Sequence, residues 1–258
     1  PGCIYCRIKD KNTPDKGNAE IHEIEMLWKK RMGLTKPPLE YLFDRLANKT
    51  EWNGADDHYY NIYRPDFSLQ VGRYEDYDHK SDEYYAYSQV NESMSLAHLD
   101  IKVGETTVDN YELVTLDSGR LRIPTPQWGF IPLDPYHQNT LSYKYFIEDS
   151  NHYKLVQFFY NPNDMEECSA FNRLMNVILL YRSDIEKELF EEYATYNVDT
   201  IKKKVEECKE YSSIVTETDI KTKTYKERLK TGSVLHRMLE EWRQTEGDGL
   251  LERIGRDI

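Results

Sequence analysis

Ala97-His98-Leu99-Asp100-Ile101-Lys102-Val103 alternates apolar and polar side chains one by one. Successive side chains of a strand point to opposite faces, so this spelling predicts a half-buried strand rather than a helix. Phe67, Leu69 and Val71, separated by Ser68 and Gln70, repeat the pattern, and the change from helical spacing to alternation sets in near Tyr59. Downstream, Tyr111 to Leu116 runs into Asp117-Ser118-Gly119 and resumes as Arg120-Leu121-Arg122-Ile123. Leu121 and Ile123 fall on one face and the two arginines on the other, with turn residues between the runs, which predicts a hairpin. Pro124 and Pro126 lack an amide hydrogen and are expected to stop the strand. Trp128-Gly129-Phe130-Ile131-Pro132 then reads as a loop, and Leu141 to Ile147 as the last strand before helices take over.

Helical signals flank this region. Asn18 is a good N-cap and Gly33 suits the position after a helix end. Between them Ile21, Ile24, Leu27 and Trp28 form one stripe expected to be buried, and Lys29, Lys30 and Arg31 complement the negative end of the helix dipole. Pro37-Pro38 starts a second helix with Leu39, Leu42, Phe43 and Leu46 on one face. After the strands, Asp164 and Glu167 have the spacing of a capping box, followed by a wide apolar face of Phe171, Leu174, Met175, Ile178 and Leu179. Ser183 and Glu186 repeat the cap for a helix expected to bury Ile185, Leu189 and Phe190. From Asn197 onward Val198, Ile201, Val205 and Cys208 make a narrow stripe on a charged helix, and Leu235, Met238, Leu239 and Trp242 make another. Such a tail reads either as a helical hairpin or oligomerisation arm, or as packing on the preceding domain. The expected class is α+β: a strand-helix remnant over 1–33, a helix pair with an antiparallel sheet and packed helices over 34–194, and a helical arm over 195–258.

The 258 residues suffice for a substantial core, and the formal net charge of -12 argues against a surface that grips a phosphate backbone over most of its area. The first 33 residues run the other way, with seven basic and five acidic side chains, so the rest carries -14. Cys3, Cys6, Cys168 and Cys208 are few and scattered, and no apolar stretch is long enough to span a bilayer, so a reduced cytoplasm without membrane attachment is the expected setting. Cys3 and Cys6 form a Cys-x-x-Cys without the second pair that zinc needs, and no metal site is expected. Neither a phosphate-binding Gly-x-x-x-x-Gly-Lys loop nor a Gly-x-Ser-x-Gly elbow occurs. Tyr84, Tyr85 and Tyr87 cluster after Asp82-Glu83; strand preference is the first account of them and a protein interface the second, and the acids oppose base stacking.

Ile4-Tyr5-Cys6-Arg7-Ile8-Lys9-Asp10-Lys11-Asn12-Thr13-Pro14, followed by Glu20 to Glu25 and by Leu27-Trp28-Lys29-Lys30-Arg31-Met32-Gly33, resembles the C-terminal end of the Schlafen AlbA-type domain. In that pattern a strand ends in an Arg-containing loop and a helix crosses back over the sheet; Lys9 stands where the pattern usually has Gly. The bacterial proteins it resembles are described as transcriptional regulators, DNA-binding or ATP-binding proteins. The resemblance implies that Arg7, Asp10, Asn12 and Thr13 belong to a loop that could hold a phosphate or nucleic acid, although Asp10, Asn12 and Thr13 are equally ordinary turn formers. It also implies a bacterial or phage protein whose nucleic-acid-binding module lies upstream of Pro1, with ATP conceivable in the intact protein and no cofactor implied by this part.

Three functions are then in play. The first is a non-catalytic interaction and assembly domain of such a regulator, with a homo-oligomer through the helical tail. The second is part of a Schlafen-like metal-dependent nuclease whose acids lie upstream, and the third a protein-binding scaffold. No catalytic residue is assigned within the 258 residues.

Overall fold

The computed structural model describes residues 38–55, 57–73, 95–116, 121–210 and 220–257, together with Glu25, Trp28, Lys29 and Arg31. The chain divides into two compact units, one of residues 1–72 with 99–110 and one of residues 73–98 with 111–258.

In the first unit, helix α1 (Pro38–Leu46) starts on a proline, whose missing amide hydrogen has no helical acceptor at that position. Leu42, Phe43 and Leu46 are buried as their spacing requires. Arg45, in its last turn, holds both carboxylate oxygens of Glu51 at 2.9 Å, and Trp52 Nε1 donates to the Arg45 carbonyl, which ties the following strand back to the helix. Trp28 departs from expectation: it is 57 % exposed, with the Arg31 guanidinium 6.0 Å from its ring. The rest of that first helix, Leu39's side chain and the Cys3-Cys6 pair lie outside what is described.

Strands β1 (Trp52–Ala55), β2 (His58–Asn61), β3 (Phe67–Arg73), β4 (Ser95–Val103), β5 (Thr106–Leu116) and β6 (Leu121–Pro124) are ordered in a sheet as they occur in the chain. Alternation becomes burial at Phe67, Leu69, Val71, Ala97, Leu99 and Ile101. The hairpin read at Asp117-Ser118-Gly119 has the register Leu113↔Pro124 to Leu116↔Leu121, with Leu121 and Ile123 fully buried. Pro124 is the last rung, and Thr125 returns both its amide and its hydroxyl to the Glu112 carbonyl.

The second unit contains a further sheet of β7 (Gln127–Pro132), β8 (Thr140–Ile147) and β9 (Ile178–Tyr181), with β7 and β8 antiparallel and β8 and β9 parallel. Two expectations are corrected here. The segment read as a loop after Pro126 is strand β7: Gly129 and Ile131 are buried while Trp128 and Phe130 are exposed, a period of two hidden because both sets are apolar or small. Ile178 and Leu179, read as the end of a helical face, lie in β9, because the helix stops at Met175. Val177 to Tyr181 is a short continuous apolar run, the spelling of a strand covered on both faces. The expected α+β class with an antiparallel sheet holds, and the three-stranded sheet adds one parallel pair, β8 with β9.

A parallel pair needs a crossover, and α2 (Asn151–Phe159) and α3 (Met165–Met175) supply it. Ser150 caps α2 through the Tyr153 amide, and Asp164 caps α3 through the amides of Glu166 and Glu167. Their apolar residues Tyr153, Val156, Ala170 and Leu174 cover one face of the sheet with Phe146, Ile178, Leu121 and Ile123. The opposite face presents Tyr143, Leu179 and Tyr181 to Phe190 of α4 (Asp184–Tyr196), Ile201 of α5 (Val198–Glu207) and Leu235, Met238 and Trp242 of α6 (Ile220–Trp242). Val198, Val205 and Cys208 pack on that same core, so the stripe in the tail is occupied within the chain. A π-helical turn, Arg243–Gly247, leads into α7 (Asp248–Asp257).

Ser183 does cap α4 through the Glu186 amide, and Phe190 is buried with Leu189 packed on the same core, but Ile185 is 41 % exposed and Glu186 is fully buried. At Gly232 of α6, a Cβ would come within 2.1 Å of the Val177 carbonyl oxygen, so the helix touches backbone just ahead of β9. Among the described residues no helix is long and apolar enough to cross a membrane.

Candidate functional site

Two polar networks lie where α4 and the end of α6 meet the three-stranded sheet. Tyr143 donates its hydroxyl to Glu191 Oε1 at 2.6 Å and lies 3.0 Å from the Tyr181 hydroxyl, which with that proton committed must act as donor to Tyr143. Lys187 closes the chain with an ion pair to Glu191 at 2.9 Å and lies 5.2 Å from the ring of Tyr145. Burial is the first cause that pushes both phenols above their ordinary range; Tyr181 and then Glu191 add to it at Tyr143, and at Tyr181 Glu191 adds to it against the opposite effect of the Tyr143 hydrogen bond. They stay protonated and serve as donors. A Cβ at Gly129 would meet the Tyr143 ring at 2.2 Å, so β7 must carry glycine for that ring to lie against it.

The second network centres on Glu186. Arg243 reaches both of its oxygens, from Nε at 2.8 Å and Nη2 at 2.7 Å, and the Arg182 amide donates to Oε2 at 2.6 Å. Arg243 also donates to the Leu180 carbonyl and to Glu240. Burial alone would lower the Arg243 pKa, but the Glu186 and Glu240 carboxylates outweigh it and the value is raised. Arg182 in turn pairs with Asp248 at 2.6 Å. Every member has a partner, as buried charge requires.

His152 is a third buried polar group. Its Nε2 donates to the Thr125 carbonyl at 2.6 Å, and its ring meets Tyr111 edge-on at 5.3 Å. Desolvation pulls its pKa below the ordinary value, against the smaller opposite effect of that hydrogen bond. Below about 6.5 the unfolded chain takes up a proton that folded His152 resists, so stability falls as pH drops through that window and is unaffected above it. Urea midpoints should therefore decline from about pH 7.5 to about pH 5.5 more steeply in the wild type than in a His152→Gln variant. Parallel profiles would remove His152 as the cause.

An open groove of about 510 Å³ runs along Lys204, Cys208, Glu210, Arg237 and Glu241. Its charges pair among themselves, Arg237 with Glu210 at 2.9 Å and Lys204 with Glu241 at 3.2 Å.

The two margins of the three-stranded sheet differ. On the outer side of β9 the Ile178 carbonyl accepts from His236 Nδ1 at 3.2 Å and the Leu180 carbonyl from Arg243 at 2.7 Å. On β7 the register itself shows which groups point outward. The Leu133 amide bonds to the Asn139 carbonyl. Bonded and non-bonded pairs alternate along an antiparallel ladder, so 131↔141, 129↔143 and 127↔145 are the bonded pairs. The amides and carbonyls of Trp128 and Phe130 then face away from β8. Pro132, which has no amide hydrogen, also falls on this outward set, where strand prolines are tolerated.

Trp128 and Phe130 stand on the same face of the sheet, opposite Lys144 and Ser142 of β8, and are 40 % and 56 % exposed. Lys144 Nζ and the Arg228 guanidinium, the latter from α6, each lie 5.1 Å from the centre of the Trp128 ring. An outward-facing strand backbone, two exposed aromatic rings and two cations thus converge on one edge.

Arg7, Asp10, Asn12 and Thr13 lie outside the described residues, as do Tyr84, Tyr85, Tyr87, Asp78 and His79. His58 is exposed, its ring 6.1 Å from that of Tyr60. Among the described residues no group of His, Cys, Asp and Glu side chains is arranged to hold a metal ion. Trp128 and Phe130 were not singled out as site residues from the sequence; their spacing of two between Pro126 and Pro132 was the available signal. Comparison with family models, with curated proteins and with solved structures finds no match to this chain.

Proposed function

We propose that the described body of this chain is a non-catalytic interaction and assembly domain that docks a protein segment along β7, within a nucleic-acid-binding regulator of the Schlafen AlbA type. The observation that carries this reading is the pair Trp128 and Phe130, exposed on a strand whose backbone groups face outward. Aromatic side chains are enriched in protein interfaces because they bury much area with few rotatable bonds. The net charge of -12 favours a protein partner over a polyanion. In this reading the loop of Arg7, Asp10, Asn12 and Thr13 is the part that approaches phosphate, and the second unit recruits.

The test compares the full chain with a Trp128→Ser, Phe130→Ser double variant by affinity capture from cells, with quantitative mass spectrometry. Proteins enriched on the wild type should fall at least about tenfold on the variant, as expected for loss of central aromatic anchors. The melting temperature should move by no more than about 3 °C, since the two rings are largely outside the core. Unchanged enrichment with a folded variant would sink the docking role of β7.

A further inference from the structure

We infer that a polar cavity beside α6 takes a small hydroxyl-bearing monocarboxylate, and that the Glu210 side chain occupies the place of its carboxylate as a built-in competitor. The inference is independent of docking on β7.

The cavity measures about 470 Å³ and is lined by Asn176, Glu210, Ser233, His236 and Arg237. That volume is ordinary for a small-molecule site. Ser233, His236 and Arg237 stand at i, i+3 and i+4 of α6 and so share one face of the helix. Asn176 lies in the link between α3 and β9, and Glu210 three residues past the end of α5.

Two donors already hold a carboxylate there. The Ser233 hydroxyl donates to Glu210 Oε2 at 2.7 Å and Arg237 Nη1 to Oε1 at 2.9 Å, one donor for each oxygen. A hydroxyl inside a helix can return its proton to the carbonyl four residues back, as Thr231 does with Glu227 at 2.8 Å. Ser233, although only 5 % exposed, gives its proton to Glu210 instead.

Two further groups in the lining are open to a ligand. His236 Nδ1 lies 3.2 Å from the Ile178 carbonyl, which can only accept, so Nδ1 carries the proton and Nε2 of the neutral ring is an acceptor. Neither that nitrogen nor the Asn176 side-chain amide bonds to a described residue. Ligand hydroxyls supply the donor that Nε2 lacks and can give or accept at the amide.

Glu210 is a weakly held occupant. It and Arg237 are each about half exposed, so their ion pair contributes little and the carboxylate can swing into water. Arg237 is then the cation left to be matched, because Lys204 pairs with Glu241 and Lys209 is likewise engaged. One cation suits one negative charge. A phosphate dianion would bring its second charge towards Glu207 and Glu241, which line the adjoining groove.

The probe is sodium gluconate, a monocarboxylate with five hydroxyls, titrated into the full chain by isothermal calorimetry. Glu210→Ala should bind it at least about tenfold more tightly than the wild type, since a tethered competitor is gone. Glu210→Gln, which keeps the volume and removes the charge, repeats the comparison and should also bind more tightly. Adding Arg237→Gln or Ser233→Ala to Glu210→Ala should weaken gluconate about tenfold each, the usual effect of losing a hydrogen bond to a charged group. Sorbitol, with the hydroxyls and no charge, should bind at least about tenfold more weakly than gluconate, and so should inorganic phosphate. The melting temperatures of Glu210→Ala and the wild type should agree within about 3 °C, because only an exposed pair is lost. Absence of gluconate binding in both Glu210 variants overturns the inference, as does affinity unchanged from the wild type or indifferent to Arg237→Gln. Sorbitol binding as well as gluconate removes the carboxylate, and phosphate binding more tightly removes the monoanion.

Discussion

Replacing Glu186 with alanine is expected to destabilise the fold by about 3–5 kcal/mol, because it strands a buried guanidinium. Glu186 is fully buried, and the Arg243 side chain retains only 11 % of its exposure. The carboxylate accepts from Arg243 twice and from the Arg182 amide once, so its removal orphans three donors together. Glu240 still touches Arg243, but from an exposed position where an ion pair contributes little. Urea denaturation should show a lower midpoint with an unchanged slope, and Glu186→Gln should lie between the two proteins. A further comparison separates the worth of the pair from the cost of breaking it. Glu186→Leu combined with Arg243→Met should recover most of the loss, since apolar replacement of a whole buried pair is often neutral or better. A loss below about 1 kcal/mol for Glu186→Ala would mean that solvent reaches Arg243 and that the network does not clamp α4 to β9.

Trp242→Ala should cost a similar amount, about 3–5 kcal/mol, by a different mechanism. The ring is 1 % exposed and meets Phe190 edge-on at 5.7 Å and Tyr193 at 6.2 Å. It is the last residue of α6, where the long helix passes into the π-helical turn, so the cavity would open between α4 and the α6 terminus. Backbone on both sides is fixed by the Arg243 bonds to Glu186 and the Leu180 carbonyl, which limits collapse into the void. The melting temperature should drop by about 10 °C, with Trp242→Phe retaining more than half of the stability difference. If the alanine variant melted within about 3 °C of the wild type, the site would be relaxing and the two ends would not be rigidly joined.

Local spelling carried much of the architecture. Period-two runs at Phe67–Val71 and Ala97–Val103 became strands with their apolar side inward, and the Asp117-Ser118-Gly119 turn signal coincided with a hairpin. Asp164 and Ser183 both cap helices through the amides their spacing foretold. The failures cluster where tertiary contact overrides local pattern. Val177 to Tyr181 is apolar or aromatic at every position, so period could not distinguish helix from strand; the parallel pairing with β8 decides it. Ile185 and Glu186 exchanged places because Arg243, 57 residues away in the chain, supplies a counter-charge that no local rule can see. At Trp128 to Pro132 the flanking prolines suggested a loop, whereas an edge strand tolerates proline on its outward positions. The candidate site was missed for the same reason, since its rings lie in that segment. The loop around Arg7, legible only by resemblance, lies outside the described residues.

The lock that His236 and Arg243 place on the Ile178 and Leu180 carbonyls has a consequence for how molecules can accumulate. Runaway polymerisation by strand exchange demands two vacant rails per subunit, one to receive and one to offer. Within the three-stranded sheet the β9 rail is occupied by side chains of α6 and the turn that follows it, so pairing cannot be passed on through that margin.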